Sequence, residues 1–165
     1  HNNLTQLDNL PPSLTELWCE NCNLTQLDNL PPSITEFLMC YENHITHLDN
    51  LPPNLKELYC NYNKITQLDN LPHSLEKLHC SYNNITQLDN LPPNLEILSC
   101  GYNSLITQLD NLPQSLIYLH CDNNKITKLN NLPQSLEILD AWNNPLQYDF
   151  LPYLANIRNY LASIR

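Results

Sequence analysis

Cysteine carries the strongest chemical signal in this chain. Six of its seven cysteines, Cys19, Cys40, Cys60, Cys80, Cys100 and Cys121, fall at one position of a recurring phrase. Cys19 and Cys22 also form a Cys-x-x-Cys, a spacing that elsewhere holds zinc or exchanges disulfides. The phrase accounts for both residues independently, because Cys19 belongs to the series and Cys22 replaces the Asn found at 63 and 83. No second such pair completes four ligands. On parallel strands, neighbouring members would lie near disulfide range, but parallel Cβ vectors would hold their sulfurs in poor bonding geometry. The expectation is a ladder of reduced thiols packed as small polarizable core groups, with a metal-thiolate or redox ladder as the chemical alternative.

Two further columns follow the same phrase. Asn43, Asn63, Asn83, Asn103, Asn124 and Asn144 recur where the chain leaves a strand. An amide both donates and accepts, so stacked amides can satisfy backbone groups at an inward turn. Asp8, Asp28, Asp49, Asp69, Asp89 and Asp110 each precede Asn, and local Asx turns explain them. Calcium between stacked carboxylates is the alternative, but the glycine-rich loops of calcium-binding solenoids are missing. There is no nucleophile elbow, phosphate loop or His-Glu-x-x-His, and a single Gly leaves few tight catalytic turns. His79 and His120 are expected two coils apart, about 10 Å by strand spacing, too far to share a metal. The chain reads as non-enzymatic and without a cofactor.

The element that positions these columns is a repeat of about twenty residues, best seen in Leu51 to Asn70, LPPNLKELYCNYNKITQLDN. Leu58 and Cys60 alternate with Glu57 and Tyr59, the period of a short half-buried strand. Leu-Pro-Pro at 51 to 53 argues against helix on the return limb, which should be extended, polyproline-like or a single turn. Six apolar groups per repeat cannot enclose themselves, so coils must stack into a solenoid with parallel strands about 4.8 Å apart. Its crossovers should be right-handed. Two repeats are longer by one residue, the second between Ile34 and Cys40 and the fifth between Asn103 and Ile106. The first predicts a bulge near Phe37 to Met39; the second predicts a looser turn around Ser104 and Leu105.

The pattern LxxLxCxxNxI followed by TxLxNLPxSL resembles the leucine-rich repeat. Its length and Leu-Pro return resemble the short repeats of bacterial effectors of the YopM and IpaH type. The Cys-xx-Asn and Ile-Thr-x-Leu-Asp-Asn phrasing resembles leucine-rich repeat proteins of giant DNA viruses. The resemblance covers roughly residues 2 to 146 and implies a curved horseshoe whose strands line a concave face used to bind other proteins.

With 165 residues, the chain suits one domain: a partial first repeat at 1–13, seven repeats over 14–146 and a carboxyl-terminal cap at 147–165. Asn2, Leu4, Leu7 and Leu10 match the second half of a repeat, so an amino-terminal cap is expected to lie outside this sequence. Beyond Pro145 the period changes. Pro152 suits a first helical residue, and Leu154, Ile157, Leu161 and Ile164 recur at helical spacing. An amphipathic helix should cover the last coil, which would otherwise be an open edge. As a membrane-surface helix it would offer only Arg158 and Arg165.

A formal charge of −10 argues against nucleic acid or an anionic membrane as the main partner, and no run of about 18 apolar residues could span a bilayer. An odd number of cysteines in repeat register fits a reducing compartment, so the expected location is cytoplasmic, or host-cell cytoplasmic if the chain is viral. The outward positions are Trp18, Tyr41, Tyr59, Tyr62, His79, Tyr82, Tyr102, Tyr118, His120 and Trp142, with Glu16, Glu20, Glu42, Glu57, Lys77, Asp122 and Asp140 around them. Aromatic residues favour strands in any case. A solvated sheet gains little by exposing so many, whereas protein-binding faces are enriched in Tyr and Trp. The expected function is a protein-interaction module. The competing readings are a spacer or virion solenoid, and the substrate-recognition part of a ubiquitin ligase.

Overall fold

The structure is a computed structural model that describes residues 5–164. Asn2, Leu4 and Arg165 lie outside them. Seven three-residue strands follow one another: β1 Glu16–Trp18, β2 Phe37–Met39, β3 Glu57–Tyr59, β4 Lys77–His79, β5 Ile97–Ser99, β6 Tyr118–His120 and β7 Ile138–Asp140. They form one parallel sheet in sequence order, and the helix α1, Leu154–Ser163, follows. The architecture is a parallel β-solenoid closed by a helix, as the repeat requires.

Each coil turns inward for identifiable reasons. The amide of Leu55 donates to the carbonyl of Pro52 at 3.2 Å, and the same three-residue closure recurs at Leu14, Ile34, Leu75, Leu95, Leu116 and Leu136. Proline at position 53 presets the backbone for this turn. Leu55, Leu58, Cys60 and Ile65 are fully buried, as are Leu75, Leu78, Cys80 and Ile85 one coil on. The core is therefore one continuous stack shared between coils.

The column of asparagines supplies the polar lining of that stack. Asn83 donates through Nδ2 to the carbonyls of Cys60 and Cys80, both at 3.0 Å, and its Oδ1 accepts from the amide of Ile65 at 3.0 Å. Asn43, Asn63, Asn103 and Asn144 repeat this arrangement; Asn124 donates to Cys100 and Cys121 in the same way, but its Oδ1 accepts from the amide of Asn103, because the Ile106 amide donates to the Asn103 carbonyl. In the first coil Cys22 takes the place, and its thiol donates to the Glu20 carbonyl at 3.1 Å. A serine seals the opposite corner. Ser135 donates its hydroxyl to the carbonyls of Gln114 and Leu116, both at 2.7 Å, and Ser33, Ser74 and Ser115 bond to the Leu of the preceding coil in the same way.

Three sequence expectations need correction. The second repeat's extra residue does not bulge β2, because Phe37, Leu38 and Met39 pair in regular register with Glu16, Leu17, Trp18 and with Glu57, Leu58, Tyr59. It is absorbed one step earlier: Thr35 and Glu36 accept separately from Lys56 and Glu57, where in the next coils one carbonyl serves both amides. A three-residue strand locked on both sides leaves the slack to its less constrained approach. Pro152 lies before the N-cap Tyr153 and is not the first helical residue. Ile164 ends the helix and is 61% exposed, while Ile157 is fully buried with Leu154 and Leu161 packed beside the core. The fifth repeat's extra residue does sit in the turn at Ser104 and Leu105, with Leu105 exposed.

Candidate partner-binding face

Strand alternation points Leu58 and its equivalents inward and leaves the residues on either side on the outer sheet face. Register then sorts that face into rows. The first strand position gives Glu16, Phe37, Glu57, Lys77, Ile97, Tyr118 and Ile138; the third gives Trp18, Met39, Tyr59, His79, Ser99, His120 and Asp140. Two residues past the third position lie Glu20, Tyr41, Asn61, Ser81, Gly101, Asp122 and Trp142. The next residue in each coil is Asn21, Glu42, Tyr62, Tyr82, Tyr102, Asn123 or Asn143.

This last row is bent into the left-handed backbone region, with φ between 50° and 57° at all seven residues. Asn tolerates that region, but for a bulky side chain it is a true outlier. Tyr62, Tyr82 and Tyr102 nevertheless occupy it in consecutive coils. Their rings stack at centroid distances of 4.2 and 4.1 Å, nearly parallel, and remain 49, 38 and 44% exposed. Hydroxyl bonding to Tyr102, then burial and bonding to Tyr62, pushes the ionisation of Tyr82 well above the ordinary phenol range. Left-handed backbone costs roughly 1–2 kcal/mol per residue, while an aromatic pair contributes about 0.5–1.5 kcal/mol. Strain of that size is at least comparable to what two stacked pairs contribute beyond the area they bury, so the row is not a clear net gain to folding.

Beside it lies a second aromatic assembly. Tyr59 and His79 stack at 4.6 Å with planes 6° apart. The Tyr59 hydroxyl donates to Glu57 at 2.8 Å, and Lys77 donates to the other Glu57 oxygen at 2.8 Å. Burial and then the Glu57 bond push the Tyr59 phenol up to about 12. For Glu57, burial alone would raise the carboxyl, but the bonds from Lys77 and Tyr59 outweigh it and bring it below its usual range. Burial lowers the pKa of His79, and His120 and Lys77 add to that against the pull of Glu57.

Between these assemblies the rows narrow to Ser81, Ser99 and Gly101. The result is an open hollow of about 360 Å³ lined by Asn61, Tyr62, His79, Ser81, Tyr82, Ser99, Tyr102, His120 and Asp122. The structure thus brings five of the expected face residues, Tyr62, His79, Tyr82, Tyr102 and His120, around one depression, with Tyr59 behind His79. It does not bring the others there. Trp18 packs edge-on against Phe37 at the first coils, and Trp142 packs edge-on against Tyr153 of the cap. Tyr41 and Tyr118 lie on the same face outside the hollow. His79 and His120 flank Ser99, two coils apart as expected. Phe37 and Met39 were missed as face residues, and only their register reveals them.

All seven cysteines are buried and free. Burial first, with each neighbouring thiol adding to it, raises the pKa of Cys40, Cys60, Cys80, Cys100 and Cys121 well above the usual thiol range. Among the described residues no group of three His, Cys, Asp or Glu could hold a metal, and no helix is long and apolar enough to cross a membrane.

A profile for leucine-rich repeats in two copies matches residues 73–114, and a profile for the FNIP repeat matches residues 43–79. The leucine-rich repeat domain of a Shigella effector superposes with a TM-score of 0.78 at 31% identity, over 98% of this chain and 72% of that one. The chain belongs to the leucine-rich repeat family. YopM from Yersinia pestis, a leucine-rich effector protein, is similar at 38% identity and a TM-score of 0.77, over 84% of this chain. This leucine-rich repeat chain spans 39% of that protein's length. InlJ from Listeria monocytogenes, whose functional domain includes a cysteine ladder, matches at 33% identity and a TM-score of 0.64, over 83% of this chain and 36% of that one. No curated protein matches it in sequence. Leucine-rich repeat domains are typical protein-interaction modules and are generally non-catalytic.

Proposed function

We propose that this leucine-rich repeat domain is a non-enzymatic module that binds a protein partner on its strand face, centred on Tyr62, Tyr82 and Tyr102. The observation that carries the reading is the backbone of those three residues. Asn fills the same left-handed position at 21, 123 and 143 and Glu fills it at 42, so the fold accepts polar side chains there and carries aromatic ones only in three consecutive middle coils. Exposed, rigid phenols combine apolar area with hydrogen-bonding tips, which is the composition of interface anchors. Tyr59, His79 and His120 extend this centre. Trp18, Tyr41, Tyr118 and Trp142 form its periphery.

Seven thiols held reduced in the core support a reducing compartment, the cytoplasm, or the host cytoplasm for a viral chain. The acidic surface disfavours nucleic acid and anionic membranes. The test is binding of a partner captured from the native cell to matched folded variants. A Tyr62/Tyr82/Tyr102 triple alanine variant should lose most of its affinity; full affinity would refute the assignment and favour the spacer reading, in which the face has no specific ligand.

A further inference from the structure

Three of the four rows on the strand face, those containing Ser99, Gly101 and the tyrosines, carry no lysine or arginine. Glu20, Glu42, Asp122 and Asp140 all lie in them. The ion pairs found among the described residues, Lys56 with Glu36 and Lys77 with Glu57, lie elsewhere. The one carboxylate lining the hollow is therefore without a cation: Asp122 Oδ2 accepts from Asn123 Nδ2 at 2.6 Å. Its Oδ1 lies over Gly101, the chain's single glycine, where an added Cβ would collide with it. Glycine at this position makes the room that the carboxylate occupies.

We propose that the hollow receives an arginine side chain from a basic segment of the protein partner, an inference that rests on the strand-face reading. At about 360 Å³ it has room for a long side chain and part of the backbone carrying it. The residues lining it carry several acceptors: the Asp122 carboxylate, the Ser81 and Ser99 hydroxyls and the phenol oxygens of Tyr82 and Tyr102. A guanidinium presents five donors in a plane and is more weakly hydrated than an ammonium, so it meets spread acceptors better than lysine does. The depressed pKa of His79 keeps that ring neutral at pH 7, so it does not repel the cation. An overall charge of −10 steers a basic segment toward the chain.

The probe is the tripeptide acetyl-Gly-Arg-Gly-amide, titrated into the isotope-labelled domain, with citrulline, lysine and glutamate counterparts. Arginine should give saturable shifts of the Ser99, Gly101 and Asp122 amides. Citrulline should bind at least tenfold more weakly, lysine several-fold more weakly and glutamate not at all. Asp122→Asn should reduce arginine affinity about tenfold, and Gly101→Ala, which pushes the carboxylate aside, should reduce it as well. Both variants are checked by thermal melting, and Asp89→Asn on the return side should bind as the parent does. Equal binding of citrulline or lysine, or an Asp122→Asn variant that titrates like the parent, overturns the proposal. So do equal shifts around Asp89. With the captured partner, full affinity in Asp122→Asn beside lost affinity in the triple tyrosine variant overturns this inference alone; full affinity in both overturns the strand-face reading itself.

Discussion

The guanidinium of Arg158 donates to the main-chain carbonyl of Leu136 at 2.9 Å, and to those of Pro133 and Gln134 at 3.1 Å. In the preceding coil the equivalent carbonyls of Leu116 and Gln114 are served by the hydroxyl of Ser135. Among the described residues β7 is followed by α1 and not by another coil that could offer a serine, and a planar cation on α1 takes over its bonds. Arg158→Ala should lower stability by roughly 1–3 kcal/mol, the range for charge-assisted bonds to carbonyls left unmet. All three bonds come from Nη2, one bond farther from the backbone than a lysine nitrogen reaches, and an ammonium is the more strongly hydrated cation, so Arg158→Lys should recover only part. Denaturant midpoints give the magnitude. Hydrogen exchange should show the loss concentrated in β7, and a loss spread evenly over the chain would contradict a capping role.

Under native conditions the ladder thiols should resist alkylation and become reactive only on unfolding. Cys19, at the amino-terminal end, is the informative case, because burial followed by Cys22 and Glu20 raises its pKa to about 12. At pH 8 that leaves roughly one thiolate in ten thousand. Rapid native labelling of Cys60, Cys80 or Cys100, or a disulfide joining them, would sink the buried-thiol reading. Cys60→Asp should prevent folding, since it places an unpaired charge in the shared core.

Replacing Tyr62, Tyr82 and Tyr102 together by Asn should leave the domain as stable as the parent to within about 2 kcal/mol, or more stable, because relief of left-handed strain opposes loss of the stack. A single Tyr82→Ala should weaken partner binding by roughly 1–4 kcal/mol. Calorimetric melting and partner affinity are measured on the same samples. A large destabilisation in the Asn variant would show that the tyrosines serve the fold.

Stability should fall as the pH drops from about 7.5 to 5.5, and part of that fall should belong to His79. Burial lowers its folded pKa below the usual 6.5, and His120 and Lys77 act in the same direction against Glu57, while Tyr59 stacks on the ring. The folded state then binds fewer protons than the unfolded one, so stability is lost as the pH falls through the unfolded value. Urea unfolding of His79→Gln should show a shallower dependence across this window. An unchanged slope would remove His79 from the account.

The solenoid was legible because its determinants are local and repeated. Leu58, Cys60 and Asn63 mark strand, core and turn in one coil, and the next coil repeats them at the same spacing. What escaped was set by contacts between coils. The extra residue of the second repeat could sit anywhere from Ile34 to Cys40 by spacing alone, and only pairing of Phe37 with Glu16 and Glu57 fixes it before the strand. Arg158 read as a solvated position on an amphipathic helix, because a carbonyl left unserved twenty-two residues earlier has no sequence signature. The strain of Tyr82 was equally hidden, since left-handed backbone is announced by Asn or Gly and here the residue is Tyr.

The bonds of each interior coil run almost wholly to its two neighbours, as Asn83 shows by joining Cys60 and Ile65 behind it to Cys80 in its own turn. Pulled by its two ends, such a chain has no clasp between distant coils among the described residues to resist the load. Tension would peel it from whichever end yields first, one coil per event. Each rupture would release about twenty residues, roughly 65–70 Å of slack. The domain would then act as an extensible tether with evenly spaced yield points, and the three bonds of Arg158 would determine which end gives way.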